Sequence, residues 1–180
     1  MKFAAKIMAS ENFITASNVA AAPTTINNKN NIFNLINGIF QAEEIYGGDY
    51  NLKDLYKVKI GGISNVKLET ETSKIQIGEI NENVSFNDFN SKIHLYNFNS
   101  KFREFKLKGD YSELSLYEIK NNNYSMDVFG FNTALNLKKV KTTFSVTKNK
   151  KLIKILEKKP KNNSLNKVAI ELKNGILNIK

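Results

Sequence analysis

Four stretches of this sequence carry apolar residues at the same five offsets, 0, 2, 9, 11 and 14. In the first they are Val66, Leu68, Ile75, Ile77 and Ile80. Val84, Phe86, Ile93, Leu95 and Phe98 repeat the set, followed by Phe105, Leu107, Leu114, Leu116 and Ile119. Met126, Val128, Leu135, Leu137 and Val140 complete it, and the starts are 18, 21 and 21 residues apart. Offset seven is constant in type: Ser73, Ser91, Ser112 and Thr133. An apolar–polar–apolar triplet places two side chains on one face of a strand. Two such triplets in a unit of this length describe one coil of a parallel β-solenoid. Equivalent residues of successive coils then stack about 4.8 Å apart. Leu68, Phe86, Leu107 and Val128 are expected to form one buried ladder. The Ser/Thr column is expected at a corner, its hydroxyls bonding turn backbone. An antiparallel sandwich also alternates, but nothing in it requires five offsets to recur in register. The turns between these triplets also lack its hairpin signal, apart from Asn174-Gly175.

The pattern extends outward more weakly. Ala5, Ile7, Ile14, Ala16 and Val19 fit a coil over 5–19, and Val58, Ile60 and Ile63 fit the second half of one over 49–63. Phe144, Val146, Ile153 and Ile155 suggest a coil at 144–155; Val168, Ile170, Leu177 and Ile179 suggest another at 168–179. The expectation is one all-β domain over 1–180, with core repeats at 66–140. One segment breaks register. Ile32, Phe33, Leu35, Ile36, Ile39 and Phe40 have helical spacing, with Asn30 or Asn31 as cap and Gly47-Gly48 as stop. They predict a short amphipathic helix over 31–46; a shorter coil with a loop is the alternative.

Composition narrows the chemistry. There is no Cys and one His among 180 residues, so thiolate metal sites, Cys nucleophiles and multi-His centres are excluded. No cofactor fingerprint occurs: Gly47-Gly48 and Gly61-Gly62 lack the further glycines of a phosphate loop. No apolar run reaches the length of a transmembrane helix. The net charge of +10 sits in the last quarter, where 138–180 holds 13 Lys and 2 acidic residues. Arg103 is the single arginine, which argues against sequence-specific nucleic-acid reading. Asn is used 27 times; with Lys abundant and Arg scarce, this fits a coding bias, and attraction for polyanions is the alternative. Met1 to Pro23 has the outline of a secretory signal, but Lys6, Glu11 and Asn12 interrupt its apolar stretch. The reading is either a cytoplasmic protein or a chain beginning inside a longer precursor.

The coils, in particular Gly109-Asp110-Tyr111-Ser112-Glu113-Leu114-Ser115-Leu116 and the closing run Lys167 to Ile179, resemble auto-transporter adhesin-type β-solenoid domains of the bacterial cell envelope. The resemblance covers most of Val58 to Lys180 and is one of repeat style. It implies a right-handed parallel β-solenoid, exported, usually behind a signal peptide, without established enzymatic activity. The expected function is a non-enzymatic adhesin-like or scaffold surface, extracytoplasmic, with a carbohydrate or another envelope protein as partner. The alternatives are a solenoid enzyme acting on an envelope polysaccharide and a non-specific polyanion binder.

A polysaccharide-cleaving solenoid needs two carboxylates on one face. Candidates are Asp88 with Asp110, and Glu79 with Glu118, the latter sharing offset 13 with Asn97 between them. None is assigned as catalytic. His94 falls at offset ten, pointing outward in a polar stripe with Gln76, Ser115 and Asn136. Tyr96 and Tyr117 share offset 12, and Phe89 and Phe131 share offset five. Such outward rings either stack on sugar faces or pack along the flank. No catalytic, cofactor or metal residue is assigned.

Overall fold

A computed structural model describes residues 8–10, 13–20, 25–27, 32–117, 123–137, 153–158 and 164–180. Every regular element in it is a strand. In chain order they are β1 (Met8–Ser10), β2 (Phe13–Ala20), β3 (Thr25–Asn27), β4 (Ile32–Tyr46), β5 (Asp49–Ser64), β6 (Val66–Glu71), β7 (Lys74–Ile80) and β8 (Val84–Phe89). There follow β9 (Lys92–Phe98), β10 (Glu104–Asp110), β11 (Glu113–Leu116), β12 (Ser125–Phe131), β13 (Ala134–Leu137), β14 (Ile153–Lys158), β15 (Lys167–Lys173) and β16 (Ile176–Ile179). The fold is a parallel β-solenoid. Each coil contributes a strand to two arms, and β4 and β5 run through both.

The repeat register is the packing register. On the first arm Phe33, Tyr50, Leu68, Phe86, Leu107, Ile170 and Val128 are successive partners. On the second arm Phe40, Val58, Ile75, Ile93, Leu114, Leu177 and Leu135 align, as do Ala42, Ile60, Ile77, Leu95, Leu116, Ile179 and Leu137. All are buried except Leu135 and Leu137, which are partly so. Burying one such aliphatic or aromatic side chain is worth about 1.5–3 kcal/mol, so the ladders dominate the fold's stability. The step from 18 to 21 residues has a local cause. The turn after Phe98 puts an extra ring, Phe102, into the core against Phe98 (4.8 Å) and Tyr124 (5.6 Å).

The corner between the arms is a left-handed turn repeated in seven coils. Asn37, Asp54, Thr72, Asn90, Tyr111, Asn174 and Asn132 all have φ between 47° and 58°. Asn tolerates this region better than other non-glycine residues. Part of the high asparagine usage therefore has a structural reason. One residue later stands the Ser/Thr column, and its hydroxyls do bond turn backbone: Ser73 to the Glu71 carbonyl at 2.9 Å, Thr133 to that of Phe131 at 3.0 Å.

Three expectations are corrected. Residues 32–46 are the strand β4, not a helix. Asn37 and Gly38 (φ 58° and 108°) turn the corner there, and the ladder with β5 slips by one residue after Gly38. Phe33 and Leu35 thus belong to one arm and Phe40 and Ala42 to the other; a strand bent at its middle imitates helical spacing. Second, Ile14 and Ala16 pair with Phe33 and Leu35 on the first arm, not at the second-arm offsets nine and eleven. Third, Ile153 lies in β14, which runs antiparallel to β12 and closes that edge. It does not form a parallel coil; Phe144 and Val146 lie outside the described residues. At the other end β1 pairs antiparallel with β2.

Stacking order departs from chain order once. The coil β15–β16 does not follow β12–β13 but lies between it and β10–β11. Leu107 and Val128 are in one ladder as expected, with Ile170 inserted between them.

Candidate functional site

Interior-facing positions consume the first acidic candidate. Asp88 is buried; it accepts hydrogen bonds from Thr70 Oγ1, from Ser112 Oγ (2.5 Å) and from the Ser91 N–H (3.2 Å). Offset four is an inward position, so Asp88 sits in one column with Leu52, Thr70 and Leu172. Asp110, at the next offset, faces outward and accepts from Asn174 Nδ2 (3.1 Å). The two carboxylates are on opposite faces of the sheet and cannot share a substrate. Glu79 is outward and half-buried, held by Asn97 Nδ2 (2.7 Å) and Asn99 Nδ2 (3.0 Å). Its proposed companion Glu118 lies outside the described residues. The acid that does face Glu79 is Glu44, two coils away across Gly62. Glu44's carboxylate occupies the space a Gly62 Cβ would take. Its pKa is raised, first by burial and then by the charge of Glu79. Reading 31–46 as a helix hid this pair.

Sequence reasoning placed Tyr96, Tyr117 and His94 on one outer face, and the structure joins them. Tyr96 and Tyr117 stack at 4.7 Å and 14°. His94 Nδ1 is 3.2 Å from the Tyr117 hydroxyl. Lys180 donates to that hydroxyl (3.2 Å), its ammonium 5.0 Å from the ring centre. Burial, then the Lys180 charge, lowers the His94 pKa, which favours the neutral imidazole. Ser115 faces the same way but is wholly covered, accepting from Asn178 Nδ2 at 3.3 Å. The polar stripe is therefore not solvated throughout. Phe89 packs edge-on against Tyr111 (6.0 Å), while Phe131 lies three ladder steps away, beyond Asp110 and Lys173.

Sequence reasoning missed the lysines beside this face. Lys74 and Lys92 are register partners, and Lys57 precedes them by one coil. Side chains so placed stack about 4.8 Å apart, where like charges repel. Lys59 lies one column over, level with Gln76 and His94. On the first arm Lys53, Lys67, Lys106 and Lys173 each face a glutamate within 4.0 Å. Lys92 reaches Glu113 at 3.4 Å, whereas Lys57, Lys59 and Lys74 have no acidic partner among the described residues. A cleft of 230 Å³ runs along the ladder, walled by Tyr56, Lys57, Lys74, Lys92, Gln76 and His94. Tyr56 is an extra residue at this coil's corner, two-thirds exposed, and it lines the cleft. The signal was visible as a Lys before the second triplet of three successive units. Eight of the 13 lysines that sequence analysis stressed, those in 138–152 and 159–163, lie outside the described residues.

Comparison of the chain with protein-family models, curated proteins and solved structures finds no match. Its surface chemistry is the remaining guide. Among the described residues no group of three or more His, Cys, Asp or Glu is placed to hold a metal ion. No helix in them is long and apolar enough to cross a membrane.

Proposed function

We propose that this chain is a non-enzymatic binding scaffold of the cell envelope, and that it grips an acidic polysaccharide along its second arm. The observation that carries this reading is the column Lys57, Lys74, Lys92, whose first two cations have no acidic partner among the described residues. Regularly spaced cations on a rigid sheet fit a polymer with regularly spaced carboxylates, each anion relieving repulsion between neighbours. Tyr56 supplies a ring face and Gln76 and His94 supply hydrogen-bonding groups at the same cleft. Surface location follows from the adhesin-like repeat style.

The test is retention of the full chain on immobilised polygalacturonate, which carries one carboxylate per sugar, against dextran. Binding to the acidic polymer should weaken steeply with salt. Lys57→Glu with Lys74→Glu should abolish it while leaving the thermal transition in place, since both side chains are exposed. Equal retention on dextran would refute the reading. Shortening of the polymer during incubation would make the chain an enzyme instead.

A further inference from the structure

The interleaved coil carries an inference independent of any ligand. Coil 167–179 sits in a slot with a strand edge on either side. Its β15 pairs in parallel with β10 and with β12, and its β16 with β11 and with β13. Next to it, β14 lies on the far side of β12. Lys158 is opposite Met126 and Lys167 is opposite Ser125, so β14 and β15 enclose the same end of β12. Strand β14 and the coil β15–β16 therefore form a clasp that holds β12 from both sides.

Nothing in the slot's chemistry ties it to its own clasp. Coil 125–137 has the same offsets as coil 104–116, so it can dock on it directly: Met126 on Phe105, Val128 on Leu107, Leu135 on Leu114, Leu137 on Leu116. When it does so during folding, the clasp is left with unpaired strands and apolar faces. A second copy with an open slot offers every pairing the clasp makes in its own chain. We infer that the occupant shared between molecules is this clasp, and that two copies exchange segment 153–179 to form a reciprocal dimer. Exchange conserves each contact, so protein concentration decides between the closed monomer and the dimer. Fifteen residues, 138–152, join Leu137 to Ile153 in the sequence. The covalent limit on the span of 15 residues is about 50 Å.

The test uses the full chain, which contains no cysteine. Lys106 and Ala169 are in-register partners on the outer face. Parallel partners about 4.8 Å apart are within reach of a disulfide. Equal amounts of the Lys106→Cys and Ala169→Cys variants are unfolded together, refolded, oxidised and run without reductant. A covalent heterodimer of twice 20.4 kDa is expected. Its yield should rise roughly tenfold or more from about 10 µM to about 1 mM protein. Mixing the two after separate refolding should give none. The double variant Lys106→Cys/Ala169→Cys, refolded dilute, should close its bridge within one chain. Two results overturn the inference: failure of that internal bridge, or a heterodimer yield no greater than that of Lys106→Cys mixed with Lys53→Cys.

Discussion

Leu107 and Val128 occupy the same position in consecutive repeats of the sequence, yet Ile170 lies between them, paired with both. The coil that ends the stack thus rests on residues that follow it in the chain. Ile170→Ala should cost about 2–5 kcal/mol, the range for a truncated buried aliphatic side chain. The loss should also be directional. Amide exchange at Met126 and Val128 should accelerate well beyond any change at Leu68 and Phe86, because the former dock only through the inserted coil. Uniform acceleration along the ladder would show that the stack opens as one unit.

The ladders were legible because every coil must fill the same cross-section, and that demand recurs as fixed offsets. The same uniformity hid the stacking order. Ile170 and Val128 present the same kind of surface to Leu107, so local sequence cannot rank them; connection length and edge closure do. The helix misreading at 32–46 has a similar origin, since Asn37 and Gly38 shift the apolar phase in mid-strand. The candidate site was partly legible. Tyr96, Tyr117 and His94 follow from outward offsets. The Lys57, Lys74, Lys92 column was also written in register, but its meaning depends on Lys57 and Lys74 having no acidic partner among the described residues, which only side-chain placement shows. Asp88 was misassigned because an acidic residue at offset four reads as surface, whereas Thr70, Ser91 and Ser112 satisfy it inside.

Among the left-handed corner residues Thr72 (φ 47°) is the one β-branched side chain, and it is exposed. A left-handed backbone costs an L-residue roughly 1–2 kcal/mol, less for Asn. Thr72→Asn should stabilise the protein by about 0.5–1 kcal/mol, raising Tm by about 2 °C for a chain of this size. Thr72→Val, which keeps the branch, should not. A lower Tm for Thr72→Asn would mean that the Thr72 side chain makes a compensating contact.

Tyr50 stacks on Phe33 at 4.5 Å with its ring fully buried, and its hydroxyl has no hydrogen-bond partner among the described residues. Burial pushes the phenol's pKa upward, so it stays neutral. An unsatisfied buried hydroxyl carries a desolvation cost of about 1–3 kcal/mol. Tyr50→Phe keeps the ring and removes that cost, so denaturant unfolding should show a gain of about 1 kcal/mol or more. Tyr56→Phe, at an exposed hydroxyl, should leave stability unchanged. A destabilised Tyr50→Phe would show that the hydroxyl is satisfied in solution.

Glu44 carries the last prediction, through pH. Burial and then the Glu79 charge raise its folded pKa above 4.5, while the Asn81 side chain opposes the shift by donating to Glu44 Oε2 at 3.3 Å. A carboxyl raised on folding binds more protons in the folded state. Its favourable contribution is complete below the unfolded value near 4.5 and is lost as pH rises through the folded value. At neutral pH the Glu44 carboxylate is therefore a liability, limited to about 1 kcal/mol or less because the group is largely hydrated. Glu44→Gln should raise Tm at pH 7, and the advantage should vanish below pH 4.5, where both side chains are neutral. Thermal melts of the two proteins between pH 4 and pH 8 would measure this. A gap that stays constant across that range would place the effect in packing over Gly62 rather than in the charge facing Glu79.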